Sequence, residues 1–155
     1  MRSLLALALF AVASAASAAD KPEDLAKDAA LAFLKAVKAR NLDDAVKLTG
    51  TPYFVQVGQD GKLLDKADDV KAELKVAFDK PVKEENLPTD VLEVMPAAKA
   101  KEMFGPKGKP ETFALVEKAM GKDGFVVILG KDGKPRGGFV VAIQDGKAKI
   151  VGVPR

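Results

Sequence analysis

The sequence predicts an α+β fold: N-terminal helices packed on a curved, mainly antiparallel sheet that ends in a three-strand meander. Three observations predict it. Apolar residues recur at helical spacing from Leu25 to Val37, and again from Val70 to Phe78. Strand-like runs, YFVQV at 53–57 and DVLEVM at 90–95, lie between and after those stripes. From Phe125 onward, three β-branched runs are joined by Asp-Gly turn signals.

The first helix opens at Pro22-Glu23-Asp24, where proline and acids suit a first turn. Leu25, Ala29, Ala32, Phe33, Ala36 and Val37 then form one face, with lysines opposite, to about Arg40. Asn41 is expected to take the left-handed conformation that ends a helix. Asp43 is expected to cap a short second helix to Leu48, which Gly50 and Pro52 stop. Tyr53 opens the first strand. Gln59-Asp60-Gly61-Lys62 reads as a tight turn, with Leu63-Leu64 as a short return.

A third helix starts at Asp65 or Asp68, carries Val70, Leu74, Ala77 and Phe78 on its apolar face, and ends at Pro81. Residues 82–88 read as a polar loop. The strand over Asp90 to Met95 is broken by Pro96. Ala97 to Phe104 reads as one helical turn or two, GPKGKP at 105–110 as a loop, and Glu111 to Met120 as a helix closed by Gly121. The meander strands are FVVIL at 125–129, FVVAI at 139–143 and KIVGV at 149–153. They are apolar at successive positions, so both faces of the sheet must be covered. Helices can cover one face. The other calls for a partner subunit, the helices of residues 97–120, or a closed-off pocket.

The chain begins with an address. A basic start at Arg2, an apolar run LLALALFAVA at 4–13 and small residues ending Ala16-Ser17-Ala18 fit a signal peptide over residues 1–18. The run is too short to span a bilayer. The expectation is export, periplasmic or secreted, with a single domain over 19–155. No later segment suits a membrane span, and with no cysteine no lipoprotein anchor is expected, so cleavage leaves no stable membrane anchor. A mature chain of roughly 137 residues is long enough to fold on burial alone, without disulfides.

The charge is close to balanced, with 25 Lys and Arg against 22 Asp and Glu and a net of +3. Lysines are dispersed among acids rather than clustered with aromatic residues, which argues against nucleic acid as a partner. There is no histidine and no cysteine. That excludes a Ser-His-Asp triad, a thiolate nucleophile and a His/Cys metal site. The Asp-Gly pairs at 60, 123, 132 and 145 lack the alternating oxygen ligands of a calcium loop, and GPKGKP lacks the spacing of a phosphate loop. No metal and no cofactor are expected.

The stretch AFLKAVKARNLDDA at 32–45, with Tyr53-Phe54-Val55 and DDVKAEL at 68–74, resembles the opening of the nuclear transport factor 2-like superfamily. The resemblance covers roughly residues 23 to 80, with the final strands of a consistent kind. It implies a cone, a curved sheet wrapping long helices with a pocket at the wide end. Members of that superfamily include isomerases, cyclases, dehydratases and plain binding or dimerisation modules, so fold does not choose a function. Its enzymes commonly place an Asp–His or Asp–Tyr set inside the cone, and a His-dependent version is impossible in this chain. The long connection from Pro96 to Gly121 departs from the family pattern, and would fill or lid such a pocket.

Three residues stand out as pocket candidates. Glu93 is alone among apolar neighbours, and becomes a general base or ligand anchor only if it faces a pocket; facing solvent, it is an ordinary polar strand position. Tyr53 is the only tyrosine, a hydrogen-bond donor if buried and a rim residue otherwise. Arg136 precedes Gly137-Gly138 at a strand entrance, where it would meet an anionic ligand or simply flank a turn. No catalytic set emerges. The expected function is a non-enzymatic binding or assembly module with an apolar small-ligand pocket. The alternatives are a carboxylate-based isomerase or lyase on a small apolar substrate, and a homodimer formed through an exposed sheet face. An enclosed cavity holding Tyr53 and Glu93 together would favour the enzyme.

Overall fold

A computed structural model of the chain describes residues 21–57, 60–104 and 109–154. The leader expected over 1–18 and most of the GPKGKP loop lie outside these. Among the described residues there are five α-helices and a six-stranded mixed sheet. In chain order they are α1 (Pro22–Lys38), α2 (Leu42–Lys47), β1 (Thr49–Val57), β2 (Asp60–Leu64), α3 (Ala67–Asp79), β3 (Asp90–Pro96), α4 (Ala97–Phe104), α5 (Pro110–Met120), β4 (Phe125–Lys131), β5 (Lys134–Gln144) and β6 (Lys147–Gly152). A 3-10 turn, Glu84–Asn86, interrupts the loop before β3. The fold is α+β, with the last three strands in a row.

The sheet order is β2-β1-β6-β5-β4-β3. All neighbours are antiparallel except β1 and β6, which run parallel. The meander is closed by two tight turns. Asp132 (φ 52°) with Gly133 (φ 72°), and Asp145 (φ 51°) with Gly146 (φ 72°), supply the paired left-handed residues that such hairpins need.

Alternation explains the continuous apolar runs. Phe125, Val127 and Leu129 of β4, with Phe139 and Val141 of β5, face α1. Their neighbours Val126, Val140 and Ala142 face the opposite way, into a second cluster with Val116, Ala119 and Met120 of α5. Both faces are therefore covered, one by α1 with α2 and α3, the other by α4 and α5. On β3 a bulge at Leu92 keeps this phase. Val91 pairs with Leu129 and Glu93 with Ile128, so Val91 and Val94 both join the α1 cluster.

α1 is narrow where it meets the sheet. Ala26, Ala29, Ala30 and Ala36 are buried there beside Phe33 and Leu34. Small residues let the helix axis approach closely, and Phe33 then fills the remaining depth, edge-on to Phe139 at 5.0 Å between ring centroids.

Four local expectations need correction. Arg40, not Asn41, takes the left-handed conformation, with φ 52°. Asn41 instead caps α2, its Oδ1 accepting from the Asp44 amide at 3.1 Å; Asp43 already lies inside the helix. β1 begins at Thr49, before Gly50 and Pro52, because Pro52 sits in an irregular stretch of the β1–β6 ladder that does not need its missing N–H. Finally, Asp60-Gly61 is strand rather than turn, since Val57 pairs with Asp60 and Gln56 with Gly61. Gly61 is there for packing. A Cβ at that position would lie 2.5 Å from the Phe54 ring.

Candidate functional site

A pocket of about 500 Å³ opens between α1, α3 and the sheet. Its walls are Phe33, Leu34 and Val37 from α1, Leu74 and Phe78 from α3, and Leu129 and Phe139 from the sheet. Val70 and Leu74 are fully buried, but Ala77 and Phe78, one turn on, are only half-buried and form a wall. Val82 and Leu87, the two apolar residues of an otherwise polar loop, complete the lip.

The corner between α1 and α2 holds this wall in place. The left-handed turn at Arg40 sends its guanidinium across to α3, where it donates to the carbonyls of Phe78 and Lys80. These acceptors lie at and just beyond the end of α3, where helix carbonyls lack intrahelical partners, so a cation there is favoured by hydrogen bonding and by the helix dipole.

Tyr53 is buried, 3% exposed, and lines this pocket together with Arg136. Glu93 does not. It lines a second pocket, of about 670 Å³, between the other face of the sheet and α5. Its carboxylate accepts from Lys99 in an ion pair whose two side chains are 41% and 53% exposed. The sheet thus separates Tyr53 from Glu93.

The second pocket is walled by Phe54, Met95, Phe113, Val116, Val126 and Val140. Among the described residues, the charged side chains in its lining are Glu93 and Lys109, and Lys109 is also engaged. Its ammonium donates to Asp60 Oδ1 at 2.8 Å, tying the start of α5 to the start of β2. That hydrogen bond, and then the charge of Asp60, hold Lys109 above its ordinary value of 10.5.

No family model matches the chain, and neither a curated protein nor a solved structure shows significant similarity to it. The site is therefore read from its own chemistry.

Among the described residues no charged side chain is buried, and no group of three or more acidic residues is placed to hold a metal ion. The charged residues lining the first pocket, Lys38, Arg40, Glu73, Glu84 and Arg136, range from partly to fully exposed. What this arrangement can do chemically is exclude water from an apolar molecule and meet a polar end at the mouth.

Two features escaped the sequence reading. Val82 and Leu87 carried a signal, as isolated apolar residues in a polar loop. The role of Arg40 carried none, because its targets are backbone carbonyls about forty positions away.

Proposed function

We propose that this chain is an exported, non-enzymatic binding module of the nuclear transport factor 2-like kind, holding a small apolar ligand between α1, α3 and the sheet. One observation carries the reading. The pocket is walled mainly by apolar side chains of α1, α3 and the sheet, and Tyr53 and Glu93 line different pockets on opposite faces of the sheet. General acid–base catalysis needs a titratable group within hydrogen-bond reach of the reacting atom, and preferably one displaced by burial. An apolar ligand needs only desolvation and shape. The resemblance over residues 23–80, the α+β architecture and the helix-lined pocket all support the family assignment.

Homodimerisation through the sheet has less support, since helices lie over both faces and the exposed large apolar residues Leu31, Val76, Val82, Leu92 and Met103 are scattered over different elements.

The test uses an extrinsic probe, because the chain has no tryptophan. Titration with N-phenylnaphthylamine should give a saturable rise in fluorescence. Val82→Glu, at an exposed lip position 44% accessible, should leave the fold intact and weaken the probe about tenfold, by setting a charge against the apolar mouth. Absence of saturable binding, or binding indifferent to Val82→Glu, would remove the reading.

A further inference from the structure

An arginine stands where a helix end ordinarily takes glycine. α1 closes with the Arg40 amide on the Val37 carbonyl at 3.1 Å and the Asn41 amide on the Ala36 carbonyl at 2.9 Å. That pair of bonds requires one left-handed residue, and here it is Arg40, with φ 52°. Glycine takes this conformation without a Cβ clash, and asparagine is the usual second choice. Asn41 is one position too late, and its side chain is committed to capping α2. A residue held in an unfavoured backbone region needs an offsetting contact elsewhere.

The contact is on α3, at an end that its own sequence leaves open. Lys80 leaves the helix extended, at φ −75° and ψ 138°, so no left-handed turn folds back over the last carbonyls. The last turn holds no basic residue. Pro81 follows, and it has no N–H to donate. The guanidinium of Arg40 supplies donors from another element, to the carbonyls of Phe78 and Lys80.

Beyond this clasp the chain runs along the mouth of the first pocket. Residues 81–84 are exposed, and Val82 and Glu84 of that span line the pocket. The next hold comes at Glu85, whose carbonyl accepts from Lys131 Nζ at 2.8 Å. The lip is thus a short span between two side-chain clasps. Other walls of the pocket, Phe33, Leu34, Leu129 and Phe139, belong to the buried core and cannot part without unfolding it. Exposed spans with little buried apolar contact open at lower cost.

We infer that Arg40 is the positioning residue of the pocket's lip, and that its clasp on the end of α3 sets how fast an apolar ligand enters and leaves. This rests on the binding reading above and adds the way the site opens. It also accounts for an arginine at a glycine position. Glycine would suit the end of α1 alone, whereas the arginine couples that end to the wall at Phe78 and to the lip beyond it.

The experiment separates opening from stability with Arg40→Gly, which removes the clasp and also relieves the backbone at φ 52°. The two effects oppose each other, so the urea midpoint should stay within about 0.5 M of the parent. Stopped-flow mixing with N-phenylnaphthylamine gives entry and release rates for the component that Val82→Glu weakens. Release should quicken about tenfold, as for loss of one hydrogen bond from a charged donor. Entry should quicken too, so affinity falls less than release rises; a damaged wall would lose affinity with no faster entry. Amide exchange at Phe78 and Asp79 should rise about tenfold while that at Phe33 stays unchanged. Entry and release rates equal to the parent's would overturn the inference and leave the binding reading standing. A midpoint lowered by more than about 1 M, with Phe33 and Phe78 exchanging faster alike, would also overturn it, by making Arg40 merely structural. Absence of saturable binding to the parent would remove both.

Discussion

Truncating Phe33 to alanine tests the packing on which the pocket depends. The ring is 2% exposed, sits between α1 and the sheet, and meets Phe139 edge-on at 81° between ring planes. Removing a buried phenyl group loses its transfer free energy and leaves a void, together about 3–5 kcal/mol. The edge-on contact accounts for about 1 kcal/mol of that. α1 cannot collapse into the void, because Ala26, Ala29 and Ala30 already hold it close to the sheet. The expected loss is therefore near the middle of the range, about 4 kcal/mol. With a urea slope of about 2 kcal/mol/M, the unfolding midpoint should fall by about 2 M. The assay is urea unfolding followed by circular dichroism, with Lys35→Ala, on the exposed side of the same helix, as the control that stays within about 0.5 kcal/mol. A cycle with Phe139→Ala should return a coupling near 1 kcal/mol. A midpoint shift in Phe33→Ala no larger than that of Lys35→Ala would mean that this face of α1 does not meet the sheet.

Glu93→Gln should change stability by less than about 0.5 kcal/mol, since its partner Lys99 and the carboxylate itself are substantially exposed. Denaturant melts check this, and a mutant stabilised by more than about 1 kcal/mol at neutral pH would revive the carboxylate-enzyme alternative. Asp60→Asn should bring Lys109 back down toward 10.5, read by NMR titration of its ammonium. The sign follows from the raised folded-state value: the interaction is fully present below 10.5 and fades as pH climbs through the higher value. An unmoved Lys109 would break the link between α5 and β2. Mass spectrometry of exported protein should find Ala19 or Asp20 first, and a retained Met1 in the exported form would contradict the leader reading.

Most of the architecture was legible because periodicity reports burial directly. A strand that is apolar at every position must be covered twice, and of the three candidates for the second cover, a partner subunit, the helices of 97–120 or a closed-off pocket, the helices α4 and α5 form that layer. What sequence could not separate was one local signal serving two purposes. Of the Asp-Gly pairs, those at 132 and 145 are hairpin turns with both residues left-handed. Those at 60 and 123 are not. Gly61 is crowded by Phe54, and a Cβ on Gly124 would fall 2.3 Å from the Met120 carbonyl oxygen and 2.6 Å from that of Val141. The same dipeptide marks a turn where backbone conformation requires glycine, and a packing contact where volume does. Only the neighbours distinguish them. The site was less legible for the same reason. Tyr53 and Glu93 both sit on strands, and which face each presents depends on strand phase, which the Leu92 bulge shifts within β3.

That bulge also decides which residues of β3 the α1 side buries. Without an extra residue at Leu92, the alternation fixed by Val94 and Met95 would place Val91 on the α5 side, and its packing against the α1 cluster would be lost. With it, β3 keeps two valines on the α1 face while Glu93 stays on the α5 face, within reach of Lys99 from α4. Glu93, adjacent to Val94, faces away from the first pocket with or without the bulge. The acids of that pocket, Glu73 and Glu84, come from α3 and the following loop and stay toward solvent. Among the described residues no carboxylate is buried. The same sheet supplies apolar surface on both faces.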